Sequence, residues 1–305
     1  MSLTFIVTGA AGFIGRHTCR RLALRGARVV GIGHGRFDVA AQREWGVAEW
    51  IDGDTGVALA KYVGARPQAV LHCAGSGNVK LSFEQPAEDF RKNVQSLLEV
   101  LEWVRLSGDD IPVVTISSAA VYGNAHSVPI GEDEPLRPIS PYGFHKLTAE
   151  TLCREYGESY AIRSLSVRLF SVYGKGLRKQ LLWDACNKLI KGNASFMGTG
   201  EEERDFICVE DAASLLIAGI EHAAVTAPVI NGGCGVSVRV RDVLTALACE
   251  VAPDSLISFN GAVRAGDPQV YRADISRALA WGWRPQIDWV EGVREYARWF
   301  VGGAL

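Results

Sequence analysis

The N-terminal half of the chain repeats one pattern, a short β-branched or apolar run followed by a segment of helix length. Leu3 to Thr8, Arg28 to Ile32, Ala69 to Cys73 and Pro112 to Ser117 read as strands, with Ser164 to Phe170 and Pro228 to Asn231 as further candidates. Such alternation predicts an α/β fold, a Rossmann-type doubly wound parallel sheet. Ligands then sit at the carboxyl ends of the strands, in the crevice where the strand order reverses. After about Tyr173 the alternation is lost. Residues 1–173 and 205–234 are expected to form a dinucleotide-binding domain, and 174–204 with 235–305 a smaller C-terminal substrate-binding lobe.

The first strand runs into Thr8-Gly9-Ala10-Ala11-Gly12-Phe13-Ile14-Gly15, which opens a helix. Glycines at these spacings permit a tight turn, a close approach of backbone to a pyrophosphate and tight helix-to-strand packing, with the phosphates on the helix N-terminus. Gly9, Gly12, Phe13, Ile14 and Gly15 are therefore assigned to a dinucleotide. The second strand ends at Gly33, where an NAD-binding chain usually places an acidic residue on the ribose hydroxyls; His34, Gly35 and Arg36 follow. With no carboxylate to repel a 2′-phosphate and the Arg36 guanidinium close enough to pair with one, NADP(H) is favoured. NAD(H) is the alternative if Arg36 is a solvated loop residue. Asp54, beside Thr55 after the third strand, is either an adenine contact or a turn carboxylate. Cys73, Ala74 and Gly75 end the fourth strand with small residues that let backbone pass beneath a nicotinamide ribose. Asn93, on the helix beyond, is expected to support the loop carrying Ser118.

Two segments carry candidate chemistry, Ser117-Ser118-Ala119-Ala120-Val121-Tyr122-Gly123 and Pro141-Tyr142-Gly143-Phe144-His145-Lys146. Tyr142 and Lys146 are four apart, on one face of a helix. A phenol with a solution pKa of about 10 needs a neighbouring cation and the positive nicotinamide ring before it can act as a base near neutrality. Ser118 would hydrogen-bond the same substrate oxygen, and Ser117 is placed with the cofactor. The set implies hydride transfer at an alcohol or ketone carbon.

Bulk properties narrow the field. The 32 Lys and Arg against 34 Asp and Glu supply no basic field, so no nucleic-acid partner is expected. No stretch approaches the roughly 18 apolar residues of a membrane span. The first apolar run passes at once into glycines rather than a signal-peptide core, and a cytoplasmic protein without a membrane partner is expected. Seven cysteines without a CxxC pair and six scattered histidines predict reduced thiols and no metal.

With these motifs in order along nearly the whole chain, it resembles the extended short-chain dehydrogenase/reductase family, and within it the nucleotide-sugar epimerases, dehydratases and ketoreductases. His72-x-Ala74-Gly75, Arg168-Leu-Phe-Ser-Val-Tyr-Gly174, Arg204-Asp-Phe-Ile-Cys-Val-Glu-Asp211 and Ala273-Asp-Ile-Ser276 complete the likeness. The resemblance implies that Ser118, Tyr142 and Lys146 are catalytic and that the C-terminal lobe binds a nucleoside-diphosphate sugar. It places Arg204 and Arg264 on the diphosphate, Asp267 on a nucleoside ribose, and Ser118 and Ser171 on the substrate. Ala119-Ala120 stand where similar 4,6-dehydratases carry an Asp-Glu pair, so elimination lacks its proton carriers. Ser171 stands where many epimerases have Asn, and Gly77 where they have Lys. The first expectation is an NADP(H)-dependent 4-ketoreductase serving polysaccharide or glycoconjugate synthesis; the alternative is a 4-epimerase that retains NAD, and a remote one a non-catalytic dinucleotide-binding sensor. The apolar positions Leu97, Leu98, Leu101 and Val104 suit either packing on the chain's own sheet or the helix-pair homodimer of many relatives.

Overall fold

The computed structural model describes residues 2–35, 37–262 and 270–303, so Arg36, Arg264 and Asp267 lie outside the described residues. Two compact units are present: residues 1–123, 135–169 and 213–230 form the first, and 124–134, 170–212 and 231–305 the second.

The first unit is built on strands β1 (Thr4–Thr8), β2 (Arg28–Gly33), β3 (Glu49–Asp52), β4 (Ala69–His72), β5 (Val113–Ser118) and β6 (Ser164–Leu169), which pair in parallel. With β10 (Val229–Gly232) at the β6 edge, the order is β10-β6-β5-β4-β1-β2-β3, the doubly wound sheet expected from the sequence. From β1 the chain winds outward to β2 and β3, then returns to lay β4 on the other side of β1. That reversal opens the crevice at the carboxyl ends of β1 and β4, where Thr8 is in register with His72. Helices cover both faces, so the strands carry unbroken apolar runs: Ile6, Val7, Val70, Leu71, Val113 and Val114 are all fully buried.

Helix α1 (Phe13–Leu24) follows β1; α2 (Val39–Trp45) and α3 (Thr55–Lys61) precede and follow β3; α4 (Val79–Glu84) and α5 (Pro86–Phe90) follow β4. A π-helical turn over Arg91–Gln95 leads into α6 (Ser96–Ser107). Leu97, Leu101 and Val104 of α6 are buried in the unit's own core and Leu98 packs at its edge, so packing on the sheet accounts for that face. The long α7 (Pro141–Tyr160) begins where Pro141 occupies the first turn and the Ser140 side chain accepts from Gly143 N, a capped start suited to holding Tyr142 still.

In the second unit β9 (Glu203–Cys208) is flanked by β11 (Ser237–Arg239) and β13 (Val270–Tyr271), and β7 (Ser171–Tyr173) also pairs with it; β8 (Ser195–Phe196) pairs with β12 (Ser258–Phe259). Buried Asp205 accepts from Cys234 N at 2.6 Å, Gly235 N at 2.9 Å and Ala273 N at 3.1 Å, tying two segments to β9. No helix among the described residues is long and apolar enough to cross a membrane.

Candidate active site

The glycine turn is shaped by sterics. Gly9 has φ +63°, and a Cβ on it would come within 2.6 Å of Ala74 N; one on Gly15 would overlap the Gly9 carbonyl. β1 and β4 can therefore close on each other only without side chains at these points. α1 starts at Gly12 with no side-chain cap and no acidic residue in its first turn, so the amides of Phe13 and Ile14 and the positive end of the helix are left for an anion. Opposite, Thr8 Oγ1 lies 2.8 Å from His72 Nδ1, and Ser96 Oγ lies 3.3 Å from Nε2. Burial drives the imidazole down to about 3, so it is a neutral brace between the two strand ends. These features fit the pyrophosphate of a dinucleotide.

At the end of β2 the missing carboxylate has a packing cause. A Cβ on Gly33 would stand 3.0 Å from Cη2 of Trp50, so a larger side chain would press on the indole. Parallel pairing sets Gly33 beside Asp52, and the carboxylates that the second strand lacks arrive from β3 and the turn after it. Asp52 Oδ1 accepts from Gly35 N at 3.1 Å, and Asp54 pairs with His34 at 2.9 Å and Arg91 at 3.3 Å. The loop expected to be electropositive is thus lined by two acids. Asp54 is held in these ion pairs, and Thr55 begins α3 in a buried position.

The three residues expected to react come together in the first unit. Ser118 ends β5, and its hydroxyl accepts from Ala120 N at 3.2 Å. The Tyr142 backbone amide donates to Ser82 Oγ at 3.1 Å, an α4 contact invisible in sequence. Lys146 Nζ lies 5.8 Å from the centroid of the Tyr142 ring and donates to Ile116 O at 2.8 Å. Burial pushes the Tyr142 phenol up to about 12; the Ser118 hydrogen bond opposes this and the Asp89 carboxylate adds to it. In the ligand-free protein burial is the largest influence on that phenol.

Burial also draws Lys146 from 10.5 to about 8, against the carboxylates of Asp89 and Glu150. An unfolded lysine keeps its proton to about pH 10.4. Between those values the unfolded chain binds more protons than the folded one, so through Lys146 stability rises with pH. Tyr142, raised, works in the opposite sense above about pH 10. Denaturant unfolding compared at about pH 7 and about pH 9 should show a gain that Lys146→Met removes. The same gain in both proteins would contradict the assignment.

Two assignments change. Asn93 does not support the Ser118 loop: its Oδ1 accepts from Ser76 N at 3.1 Å and fixes the turn after β4, while its Nδ2 is buried without a partner. The Ser117 hydroxyl donates at 2.5 Å to Glu150. Glu150 in turn forms a buried ion pair with Arg168 at 2.7 Å, and Arg168 donates to Tyr122 OH at 3.0 Å. This network clamps α7 to β5 and β6. Cys73 follows the end of β4, where burial raises its thiol to about 12.

In the second unit Arg204 lines a cavity of about 730 Å³ with Trp183, Lys188, Lys191 and Phe196. The Lys188 ammonium lies 5.2 Å from the Phe196 ring centroid, so cations and an aromatic face are offered together. Ser171 opens β7 in the same unit.

A glycine turn at the switch point of a parallel sheet, with Ser, Tyr and Lys on the neighbouring strand and helix, defines a short-chain dehydrogenase/reductase of the extended type. The chain belongs to the NAD dependent epimerase/dehydratase family, whose model matches residues 5–233. It is 32% identical over 315 residues to a UDP-glucose 4-epimerase of Azospirillum brasilense, covering 94% of this chain and 89% of that one. A UDP-glucose 4-epimerase of Mycolicibacterium smegmatis is 30% identical over 312 residues, covering 97% of each chain. The crystal structure of UDP-glucose 4-epimerase from Brucella ovis in complex with NAD matches with a TM-score of 0.85 at 29% identity, over 98% of each chain.

Proposed function

We propose that this chain is a UDP-sugar 4-epimerase that keeps its NAD between turnovers. The observation that carries the reading is the buried Tyr142 ring, one helical turn from Lys146 and with its centroid 5.8 Å from the lysine ammonium. The reductase expected first from Gly33 and Arg36 is the weaker reading. The relatives reported above are 4-epimerases, and Asp52 brings a carboxylate to the turn between Gly33 and Gly35.

The chemistry a bound nicotinamide supplies is reversible hydride acceptance from C4 of the sugar. Tyr142 takes the proton of the C4 hydroxyl and later returns it, and Ser118 donates a hydrogen bond to that oxygen as charge develops. Lys146, anchored on Ile116 O, holds positive charge beside the phenol. Because Tyr142 starts near 12, a further positive charge is needed beside it before it accepts a proton, which confines base catalysis to the loaded protein. The keto sugar then turns to present its other face before the proton is returned. The Arg204 cavity, with its two lysines and Phe196, suits the diphosphate and base of the substrate.

The test is to incubate the purified protein with UDP-galactose and no added dinucleotide, and to identify by mass spectrometry any dinucleotide released on denaturation. Formation of UDP-glucose with NAD(H) bound in stoichiometric amount is the expected result. No interconversion, together with NADPH consumption on a 4-keto sugar nucleotide, would restore the reductase.

A further inference from the structure

The glycine turn can hold an anion only if its peptides are aimed, and it has no long side chain of its own to aim them. Gly9, Ala10, Ala11 and Gly12 carry at most a methyl group, and α1 starts at Gly12 without a side-chain cap. Glycine keeps its conformational freedom, so a turn of this composition would have to be ordered by the ligand itself, which weakens binding. Arg16, four residues on from Gly12, supplies the missing contacts. Its Nη2 donates to Ala11 O at 2.6 Å and its Nε to Gly12 O at 3.2 Å.

Those two carbonyls decide where the neighbouring amides point. In a planar trans peptide the C=O and the following N–H point in opposite directions. Fixing Ala11 O therefore fixes the Gly12 amide, which donates back to Gly9 O at 2.8 Å and closes the turn. Fixing Gly12 O, which also accepts from Arg16 N at 3.0 Å, leaves the Phe13 amide aimed out of the helix start, the direction open to an anion. A charged donor also polarises the peptides it bonds, which strengthens their N–H groups in turn.

The arginine is itself held from α2. Its guanidinium carbon lies 5.4 Å from the centroid of the Trp45 ring, and that of Arg20 lies 5.8 Å from the same ring. Buried His17 meets Trp45 edge-on at 4.9 Å between centroids and Phe13 at 5.6 Å. The chain leaves α2 through Gly46, with φ +69°, where a Cβ would come within 2.3 Å of Ala23 Cβ, so the end of α2 lies close against α1. A guanidinium packed on an indole keeps its charge and loses less freedom on forming its hydrogen bonds. We propose that Arg16, stacked on Trp45, is a positioning residue that fixes the glycine turn for the pyrophosphate of the dinucleotide. This rests on the reading of that turn as the dinucleotide site, and it holds for an epimerase and a reductase alike.

The experiment titrates the dinucleotide-free protein with NAD, ADP and adenosine by calorimetry, in the parent, Arg16→Gln and Arg16→Lys. Arg16→Gln should weaken NAD and ADP by about ten-fold, the worth of one charge-assisted hydrogen bond, and leave adenosine, which carries no phosphate, unchanged. Arg16→Lys keeps the charge without the planar fork and should recover only part of the loss. If Arg16→Gln does not fold, Arg16→Lys and Trp45→Leu carry the test, each with a smaller loss confined to NAD and ADP. Unchanged NAD affinity in a folded variant overturns the proposal, as does an equal loss for adenosine, which a merely structural role would give. Full recovery in Arg16→Lys also overturns it, because charge alone would then suffice. Failure of the dinucleotide reading would appear separately, as a parent protein that binds neither NAD nor ADP.

Discussion

Replacing Tyr142 with Phe should lower kcat by about 10²–10⁴-fold, the usual worth of a positioned acid–base group, while dinucleotide binding stays nearly unchanged. The substitution removes one oxygen from a ring already buried in α7 and leaves the amide bond to Ser82 and the lysine anchor on Ile116 in place. Binding should survive because the glycine turn and the α1 N-terminus are formed by other residues. The phenol also costs nothing to lose as a charge, since burial holds it protonated near 12 in the ligand-free protein. Single-turnover kinetics with a cofactor titration on the same preparation separate the two effects. A variant that turned over at the parent rate would remove Tyr142 from the mechanism.

The largest expected loss of stability lies where β6 meets the same helix, at the Arg168–Glu150 ion pair. Arg168→Met should cost about 3–5 kcal/mol, because it leaves the Glu150 carboxylate buried with its countercharge gone. The pair is 3% and 2% exposed, so water screens it little. Ser117 would still donate to Glu150, but one neutral hydroxyl does not replace two guanidinium contacts at 2.7 and 2.9 Å. Converting both partners to apolar residues should recover most of the loss, since the desolvation cost of the surviving charge disappears with it. Urea unfolding of the single and double variants is the measurement; a harmless single variant would mean that Glu150 is not ionised in the folded protein. Because the network clamps α7 to β5 and β6, the single variant should also loosen the relation between Ser118 and Tyr142 and lower kcat more than it raises KM.

Local pattern carried much of the fold. Strand alternation placed β1, β2, β4, β5 and β6 within a residue or so at each end, because a strand buried on both faces must be an uninterrupted apolar run. The glycine turn was equally legible, since φ +63° at Gly9 and the contact between Gly15 and the Gly9 carbonyl exclude side chains and so leave a mark in the residue types themselves. Tyr142 and Lys146 were readable for the same reason: helical geometry alone fixes the relation of residues four apart.

What local pattern could not supply depends on contacts between elements distant in the chain. Gly33 looked like an invitation to a phosphate, yet the parallel register brings Asp52 beside it and the turn after β3 brings Asp54 to His34. Asn93 and Ser117 were given to the wrong neighbours, since only the packed helix and sheet decide that one meets Ser76 and the other Glu150. Ser82, Asp89 and His145 were given no role, for a lone serine, aspartate or histidine carries no periodic signal. By itself the sequence determined the doubly wound sheet, the glycine turn and the Ser-Tyr-Lys set, all governed by sterics and spacing within a few residues. Only the tertiary structure decided which charges surround that set and how deeply they are buried, because electrostatic fields and desolvation belong to neighbours in space, not in sequence.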